Sequence, residues 1–356
     1  MKLGMNKSLI TNVLFLIVLI MQISGCSKES NIEPSVPNVP NQPKVPAIII
    51  PNAPTELNRT TYNSTVKEVS LRWTDNSDNE TGFKLERKTN SGSFLVIKTL
   101  NSANLECKDD GLSVNTTYTY RVCSYNNAGN SKTYSNEVIV STDIDGNAYT
   151  EIKIGNQIWM QENLSVSKYR NGDAVPKMLD GQVVLTPKGY LSWSKLTDSK
   201  FGAYCSDGIF PLGKFYNWYA VNDSRGLAPK GWHIPTRAEW KVLSDFLGGE
   251  LVAGGKMKRL EKAGFTSAGP SWNSPNTGAT NVSGFTALPG GFFQFNGTAV
   301  GSSFAKGGSL AYFWSSNEFD LTQAYTYKLS NTHEKLIESY VTDYKVQGGN
   351  VRCIKD

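Results

Sequence analysis

Residues 230–247 read KGWHIPTRAEWKVLSDFL. His233, Thr236, Arg237 and Glu239 are residue types that catalysis uses, and the chain holds only two histidines. The same letters also spell the start of a helix. In Thr236-Arg237-Ala238-Glu239 the threonine hydroxyl is placed to accept from the backbone N–H of Glu239. The glutamate is placed to reach back to the backbone N–H of Thr236, which makes a capping box. Behind it Trp240, Leu243 and Phe246 or Leu247 recur at i, i+3 and i+6 or i+7, one apolar helical face, and Gly248-Gly249 stops the run. The spacing predicts the main helix of its domain, with Arg237 on the solvated side and His233 in the strand that leads into the cap. Thr236 and Glu239 are then structural, occupied with orphan backbone groups.

The rest of the sequence gives catalysis little support. An enzyme needs a nucleophile, a base and a group that stabilises developing charge. His333 sits in a polar, turn-like segment, Asn331-Thr332-His333-Glu334-Lys335, and neither histidine has a second metal ligand three or four residues away. Gly254-Gly255-Lys256 lacks the upstream glycine and the following Ser/Thr of a phosphate-binding loop. There is no Gly-x-Ser-x-Gly elbow. The reading is of a protein that is not an enzyme, with no cofactor and no metal. The formal charge of +5 falls to +3 without the first 25 residues, which carry Lys2 and Lys7 and no acid. That balance, with no basic cluster, argues against a nucleic-acid partner.

At 356 residues the chain has room for two domains. Lys2 and Lys7 precede an apolar run, Val13 to Met21, short for a membrane span and right for a signal-peptide core; an uncleaved anchor is the alternative. The run ends in Ile23-Ser24-Gly25-Cys26, which resembles the bacterial lipobox and implies acylation of Cys26 and a membrane partner through that lipid. Ser27-Lys28-Glu29 resembles the export signals of surface-exposed lipoproteins of the Bacteroidetes, so the expected address is the outer face of the outer membrane. Residues 1–25 are thus a signal peptide. Residues 26–51, rich in proline, are an extended stalk. In an oxidising compartment the four remaining cysteines invite pairing, and Cys205 with Cys353, in one domain, are the expected disulfide.

Residues 52–142 alternate short β-type runs with turn signals, as an all-β sandwich does. Pro51-Asn52-Ala53-Pro54, the early Trp73, Leu112 six residues before Tyr118, and Asn126-Asn127-Ala128-Gly129-Asn130-Ser131 make this segment resemble a fibronectin type III domain. Tyr118 stands where the tyrosine corner of that sandwich falls. By period two, Tyr118, Tyr120 and Val122 share a face, which the resemblance puts inward, so Cys123 points outward. Cys107 falls at a position the family fills with a core residue, and thiols facing different ways do not bridge.

Asp143-Ile144-Asp145-Gly146-Asn147 opens like a calcium loop, but its twelfth position is Ile154 rather than an acid. The Gly146-Asn147 pair reads as a hairpin turn, and Gly155-Asn156 as a second. Residues 143–356 resemble the Fibrobacter succinogenes major paralogous domain. The landmarks are Ile154-Gly155-Asn156-Gln157-Ile158-Trp159-Met160-Gln161-Glu162-Asn163-Leu164, Tyr216-Asn217-Trp218, Gly231-Trp232-His233-Ile234-Pro235-Thr236, Gly284-Phe285-Thr286-Ala287-Leu288-Pro289-Gly290-Gly291, Phe313-Trp314-Ser315-Ser316 and Val351-Arg352-Cys353. The resemblance implies an α+β, C-type-lectin-like fold, distantly related to sulfatase-modifying enzymes. Those relatives use reactive cysteines near the end of the fold, and a disulfide partner makes a poor nucleophile. The Glu-Pro-Asn or Gln-Pro-Asp loop and Trp-Asn-Asp strand of calcium-dependent lectins are absent: Ser274-Pro275-Asn276 lacks the leading carboxylate, and Trp218-Tyr219 precedes alanine.

A ligand would then meet a loop on a rigid base. The candidate is Ser267 to Ser283, where Trp272 is able to stack on a sugar ring and Asn273, Asn276 and Asn281 supply amide donors and acceptors. The alternative is that Trp272 plugs the loop onto the core and the asparagines make turns. Trp193 is a second candidate with the same alternative. The leading function is a non-enzymatic surface lipoprotein that binds an extracellular glycan or protein; the rivals are a structural subunit of a surface assembly and an enzyme of the sulfatase-modifying type.

Overall fold

The structure is a computed structural model that describes residues 49–65, 67–177, 184–186, 189–191, 204–205, 212–260, 271–294, 303–340 and 343–356. Cys26, Trp193, the signal peptide and most of the stalk lie outside the described residues, and Cys205 is described by its backbone alone. Residues Ile48–Asp356 form one compact unit. Among the described residues no helix is long and apolar enough to cross a membrane.

The first half is a β-sandwich. Its strands are β1 Thr55–Asn63, β2 Glu68–Thr74, β3 Gly82–Thr89, β4 Leu95–Asn101, β5 Glu106–Asp109, β6 Thr117–Asn126, β7 Gly129–Asn130 and β8 Val138–Thr142. One sheet runs β1-β2-β5; the other includes β8-β6-β3-β4, with β7 on β6. Period-two alternation decides the core. Tyr118, Tyr120 and Val122 turn inward onto Trp73, Phe83, Leu85 and Leu112, where Trp73 meets Phe83 edge-on at 5.6 Å. The Tyr118 hydroxyl accepts from the backbone N–H of Ser113 at 2.8 Å, which ties the corner before β6. Cys107 joins this core as expected. Cys123 is outside that core but is not exposed: its relative accessibility is 0%. The thiol is on the side away from the core, as expected, and the 131–135 segment, hydrogen-bonded to the backbone of Ser124 and Val122, runs beside it, so facing outward does not leave it solvated. Cys107 and Cys123 are both free.

The second half begins without a linker. Strands β9 Ala148–Ile154 and β10 Gln157–Met160 follow, and β9 pairs antiparallel with β8, Val140 opposite Thr150 and Thr142 opposite Ala148. The turn between them closes on Asp143. Its buried carboxylate accepts from the backbone N–H groups of Asp145 and Asn147, the Asn147 amide and the Tyr149 hydroxyl at 2.7–2.9 Å. The acid is consumed by its own turn, so this is the hairpin and not a cation loop. Gly155, at φ +61°, makes the β9–β10 turn, and an added Cβ there would meet the Phe246 ring at 2.9 Å.

Further strands are β11 Val184–Thr186, β12 Gly189–Leu191, β13 Tyr204–Cys205, β14 Phe215–Tyr216, β15 Trp232–His233, β16 Phe292–Gln294, β17 Ser303–Ala305, β18 Leu310–Glu318, β19 Ala324–Ser330, β20 Leu336–Ser339 and β21 Ile354–Lys355. Helices α1 Trp218–Val221, α2 Arg237–Phe246 and α3 Glu250–Met257 are short, and the molecule is mostly β. Because β9 carries on through β10, β21 and β15, one nine-stranded sheet, β15-β21-β10-β9-β8-β6-β3-β4 with β7 beside it, spans both halves. The junction is braced by Arg59 of β1, which pairs with Glu162 and donates to the Ala148 carbonyl at 3.1 Å. The Tyr62 hydroxyl reaches the Gly146 carbonyl.

Two apolar clusters fill the second half. One gathers Trp159, Trp240, Phe285, Phe313 and Tyr327 under α2; the other gathers Tyr216, Trp218, Trp232, Tyr312 and Trp314. Arg352 is 1% exposed. Its guanidinium donates to the Asn163 side-chain Oδ1 at 2.6 and 3.0 Å and to the Phe285 backbone carbonyl at 2.5 Å. Burial lowers its pKa to about 9, and these acceptors replace the lost hydration. The three motifs around Asn163, Phe285 and Arg352 are therefore one structural joint.

Candidate functional site

The opening stretch folds as a cap. Glu239 Oε2 accepts from the Thr236 backbone N–H at 2.7 Å, and the Thr236 hydroxyl accepts from the Glu239 N–H at 3.3 Å. Trp240, Leu243 and Leu247 are buried, whereas Phe246 is 62% exposed. Arg237 lies outward and pairs with Glu338 at 2.6 Å. His233 leaves β15 with both ring nitrogens engaged, Nδ1 with Asp356 at 2.8 Å and Nε2 with Glu239 at 2.7 Å. Desolvation opposes its protonation, but the two carboxylates outweigh it and raise its pKa above 6.5. This second role of Glu239 is not visible in the local sequence spacing.

The asparagine loop does not form a ligand site. Trp272 is 5% exposed, sits in the α2 core and donates its indole N–H to the Ala287 carbonyl at 2.9 Å. Asn276 and Asn281 adopt left-handed φ of 44° and 51°. Asn276 donates to the Arg259 carbonyl at 3.3 Å. Asn281 exchanges hydrogen bonds with Thr286, accepting from its N–H at 2.9 Å and donating to its hydroxyl at 3.0 Å. Asn273 is exposed yet donates to the Ser309 hydroxyl at 3.0 Å. The assignment of Trp272 and these amides to ligand contact is corrected: they pin the loop. Lys258 helps, its buried ammonium donating to the carbonyls of Thr277, Ser330 and His333 at 2.7, 2.9 and 3.0 Å.

Cys353 is a free thiol at 0% exposure. It packs among Met160, Leu164, Tyr216 and Trp232, so the expected disulfide with Cys205 is corrected. Burial pushes the thiol pKa far up, which keeps it protonated and unreactive. Among the described residues no group of three or more His, Cys, Asp or Glu side chains is placed to hold a metal ion.

A cleft of about 520 Å³ opens instead over β16, β18 and β19. Gly291, at φ +68°, turns the chain into β16; a Cβ there would strike the Ala305 carbonyl oxygen at 2.0 Å. Phe293 then points into the core while Phe292 and Gln294 face the cleft. The Phe292 ring stacks on the buried Tyr312 ring, centroids 5.4 Å apart and planes 28° from parallel. On the floor Asp343, 1% exposed, accepts from Lys328 Nζ at 2.6 Å, the Thr326 hydroxyl at 2.8 Å and the Tyr312 hydroxyl at 3.2 Å. Desolvation first, then the Asp343 charge, hold the Tyr312 phenol protonated. Gln347 enters beside Gly348, which exchanges backbone hydrogen bonds with Phe293 at 2.8 and 2.9 Å. Lys306 follows Ala305, the β17 partner of Phe292. The side chains of Gln294, Gln347 and Lys306 make no hydrogen bond or ion pair among the described residues. A larger groove of about 910 Å³ beside α2 differs in this respect, since its Arg237 pairs with Glu338 and its Lys241 with Asp245. Sequence reasoning missed the cleft; its signal was the alternation in Phe292-Phe293-Gln294 after the double glycine.

The profile of the Fibrobacter succinogenes major domain (Fib_succ_major) matches residues 152–355, more than half of the chain. The chain belongs to that family. A fibronectin type III domain matches residues 52–141, in agreement with the sandwich of β1–β8. The two domains together are those of a surface or adhesion-type protein. No curated protein matches the chain. Among solved structures, one titled "Myokine structure" is 20% identical over 26% of this chain and 98% of its own, with a TM-score of 0.23. An Fn3-like protein from Clostridium thermocellum is 25% identical over 26% of this chain and 92% of its own, TM-score 0.22. The fibronectin type III domain of human fibronectin type III domain containing protein 3 is 24% identical over 27% and 88%, TM-score 0.23.

Proposed function

We propose that this member of the Fibrobacter succinogenes major domain family is a non-enzymatic, surface-exposed lipoprotein of the outer membrane, anchored through Cys26. Its fibronectin-like half presents a C-type-lectin-like half that binds an extracellular ligand in the cleft over β16, β18 and β19. The observation that carries this reading is the pair of amides, Gln294 and Gln347, that have no partner among the described residues and lie beside the stacked Phe292. Amides left without a protein partner on a satisfied, rigid floor are poised to bond a ligand. The inert Cys353 thiol supports a binding role over the sulfatase-modifying chemistry.

An array of glycans and matrix proteins, probed with the full chain, tests the cleft. The double substitution Gln294→Ala/Gln347→Ala is expected to lower the captured signal at least about tenfold, because each lost hydrogen bond costs about 1 kcal/mol. An undiminished signal would sink the assignment. For the anchor, metabolic palmitate labelling should vanish in Cys26→Ser, and a persisting label would refute lipidation there.

A structural subunit is the second reading, supported by one surface feature. Phe319, Tyr325 and Tyr340 cluster at the β18–β19 turn, Phe319 stacked on Tyr340 at 4.1 Å, beside Leu321 at 79% exposure. A stoichiometric complex lost on Leu321→Asp, with the cleft variant unaffected, would favour it.

A further inference from the structure

Given the cleft reading above, on which this inference rests, the lining residues narrow the class of ligand. We propose that the cleft takes a pyranose bearing an acidic substituent, its ring face on Phe292, its hydroxyls on Gln294 and Gln347, and its carboxylate on Lys306. Phe292 is only partly buried and is backed by Tyr312 in a near-parallel stack. A backed ring cannot turn edge-on, so it offers a fixed apolar face, which suits the C–H face of a sugar. The two amides, without a partner among the described residues, supply both donors and acceptors, the complement of vicinal hydroxyls.

Charge selects further. The lining contains Lys306, Lys328 and Asp343. Lys328 and Asp343 neutralise each other at 2.6 Å on the floor, and Lys328 also donates to the Ser339 hydroxyl at 3.0 Å. Two cations against one anion leave one positive charge, and it belongs to Lys306. That side chain is exposed and meets no acid among the described residues. Its backbone is fixed at φ +63°, and its carbonyl accepts from the N–H groups of Ser309 and Leu310 at 3.0 and 3.1 Å. The ammonium is thus carried on a pinned turn at the cleft rim. An acidic sugar supplies its partner, whereas a neutral sugar leaves it with water.

Calorimetric titration of the full chain tests this with four probes. An α-1,4-linked galacturonate tetramer stands for an acidic polymer and 3′-sialyllactose for an acidic chain end; maltotetraose and lactose are the neutral counterparts. The expected result is that at least one acidic probe binds about tenfold more tightly than its neutral counterpart, the worth of one charge-assisted hydrogen bond. Lys306→Gln should abolish that preference without changing the affinity of the neutral probe, and added salt should weaken only the acidic one. Phe292→Leu, which keeps the strand apolar, should weaken all binding. Equal affinity for acidic and neutral probes, or a preference that survives Lys306→Gln, overturns the proposal. So does failure of all four probes while Gln294→Ala/Gln347→Ala still abolishes array capture, an outcome that leaves the cleft reading standing. Capture indifferent to that double substitution removes both.

Discussion

The 271–286 loop and the β16 cleft are built from the same materials, an aromatic ring flanked by amides, and they do opposite things. In the loop Trp272 is sealed into the core and Asn281 is spent on Thr286. In the cleft Phe292 keeps part of its face and the amides of Gln294 and Gln347 have no partner among the described residues. Composition does not distinguish the two. What does is whether the hydrogen-bonding capacity of each side chain is already used.

The largest break in the comparison is expected from Trp272→Ala. It deletes a buried indole and one of the two donors to the Ala287 carbonyl, which keeps the Arg259 N–H, and should cost about 3–5 kcal/mol in chemical denaturation. Ligand capture per folded molecule should not change; a loss of capture without a loss of stability would return Trp272 to the binding surface. Next comes Asn163→Ala, which removes the acceptor of two Arg352 donors at 1% exposure. A loss of about 3 kcal/mol is expected for a buried charge left short of partners, read from the denaturant midpoint. Thr236→Ala should cost about 1 kcal/mol as a lost helix cap, again with capture intact. On the other side of the comparison, Gln294→Ala should stay within about 0.5 kcal/mol of the parent and weaken capture.

The smallest effect is in the pH dependence. The carboxylates of Glu239 and Asp356 raise the folded-state pKa of His233 above 6.5. Its stabilising contribution is therefore complete below pH 6.5 and disappears as pH rises through the folded pKa. The side chain is 36% exposed, which screens the pair. Melting temperatures of the parent and His233→Gln should differ most at pH 6 and converge by pH 9. Divergence with rising pH would contradict the assigned bonding.

What the sequence disclosed was local. The Thr236–Glu239 box, the Gly155-Asn156 turn and the inward face of Tyr118, Tyr120 and Val122 each follow from a spacing of a few residues, and each is in the structure. The failures came from partners distant in the chain. Cys123 was placed on the correct face, but its exposure depended on where the 131–135 segment would lie. Whether Asn276 was free depended on the Arg259 carbonyl, and Gln294 meets Gln347 and Lys328, distant in the chain, only in the lining of one cleft. Cys353 was paired with Cys205 because the two lie in one domain, whereas it is a free thiol packed among Met160, Leu164, Tyr216 and Trp232.

The ladder between β8 and β9 has a mechanical meaning. A chain of beads joined by loops swivels under load, and each bead yields separately. Here the two modules share one ribbon of backbone hydrogen bonds, with Arg59 and Asp143 as rivets at the seam. Under the proposed binding role, a pull at the cleft would reach the fibronectin-like module through that ladder of hydrogen bonds rather than through a loop.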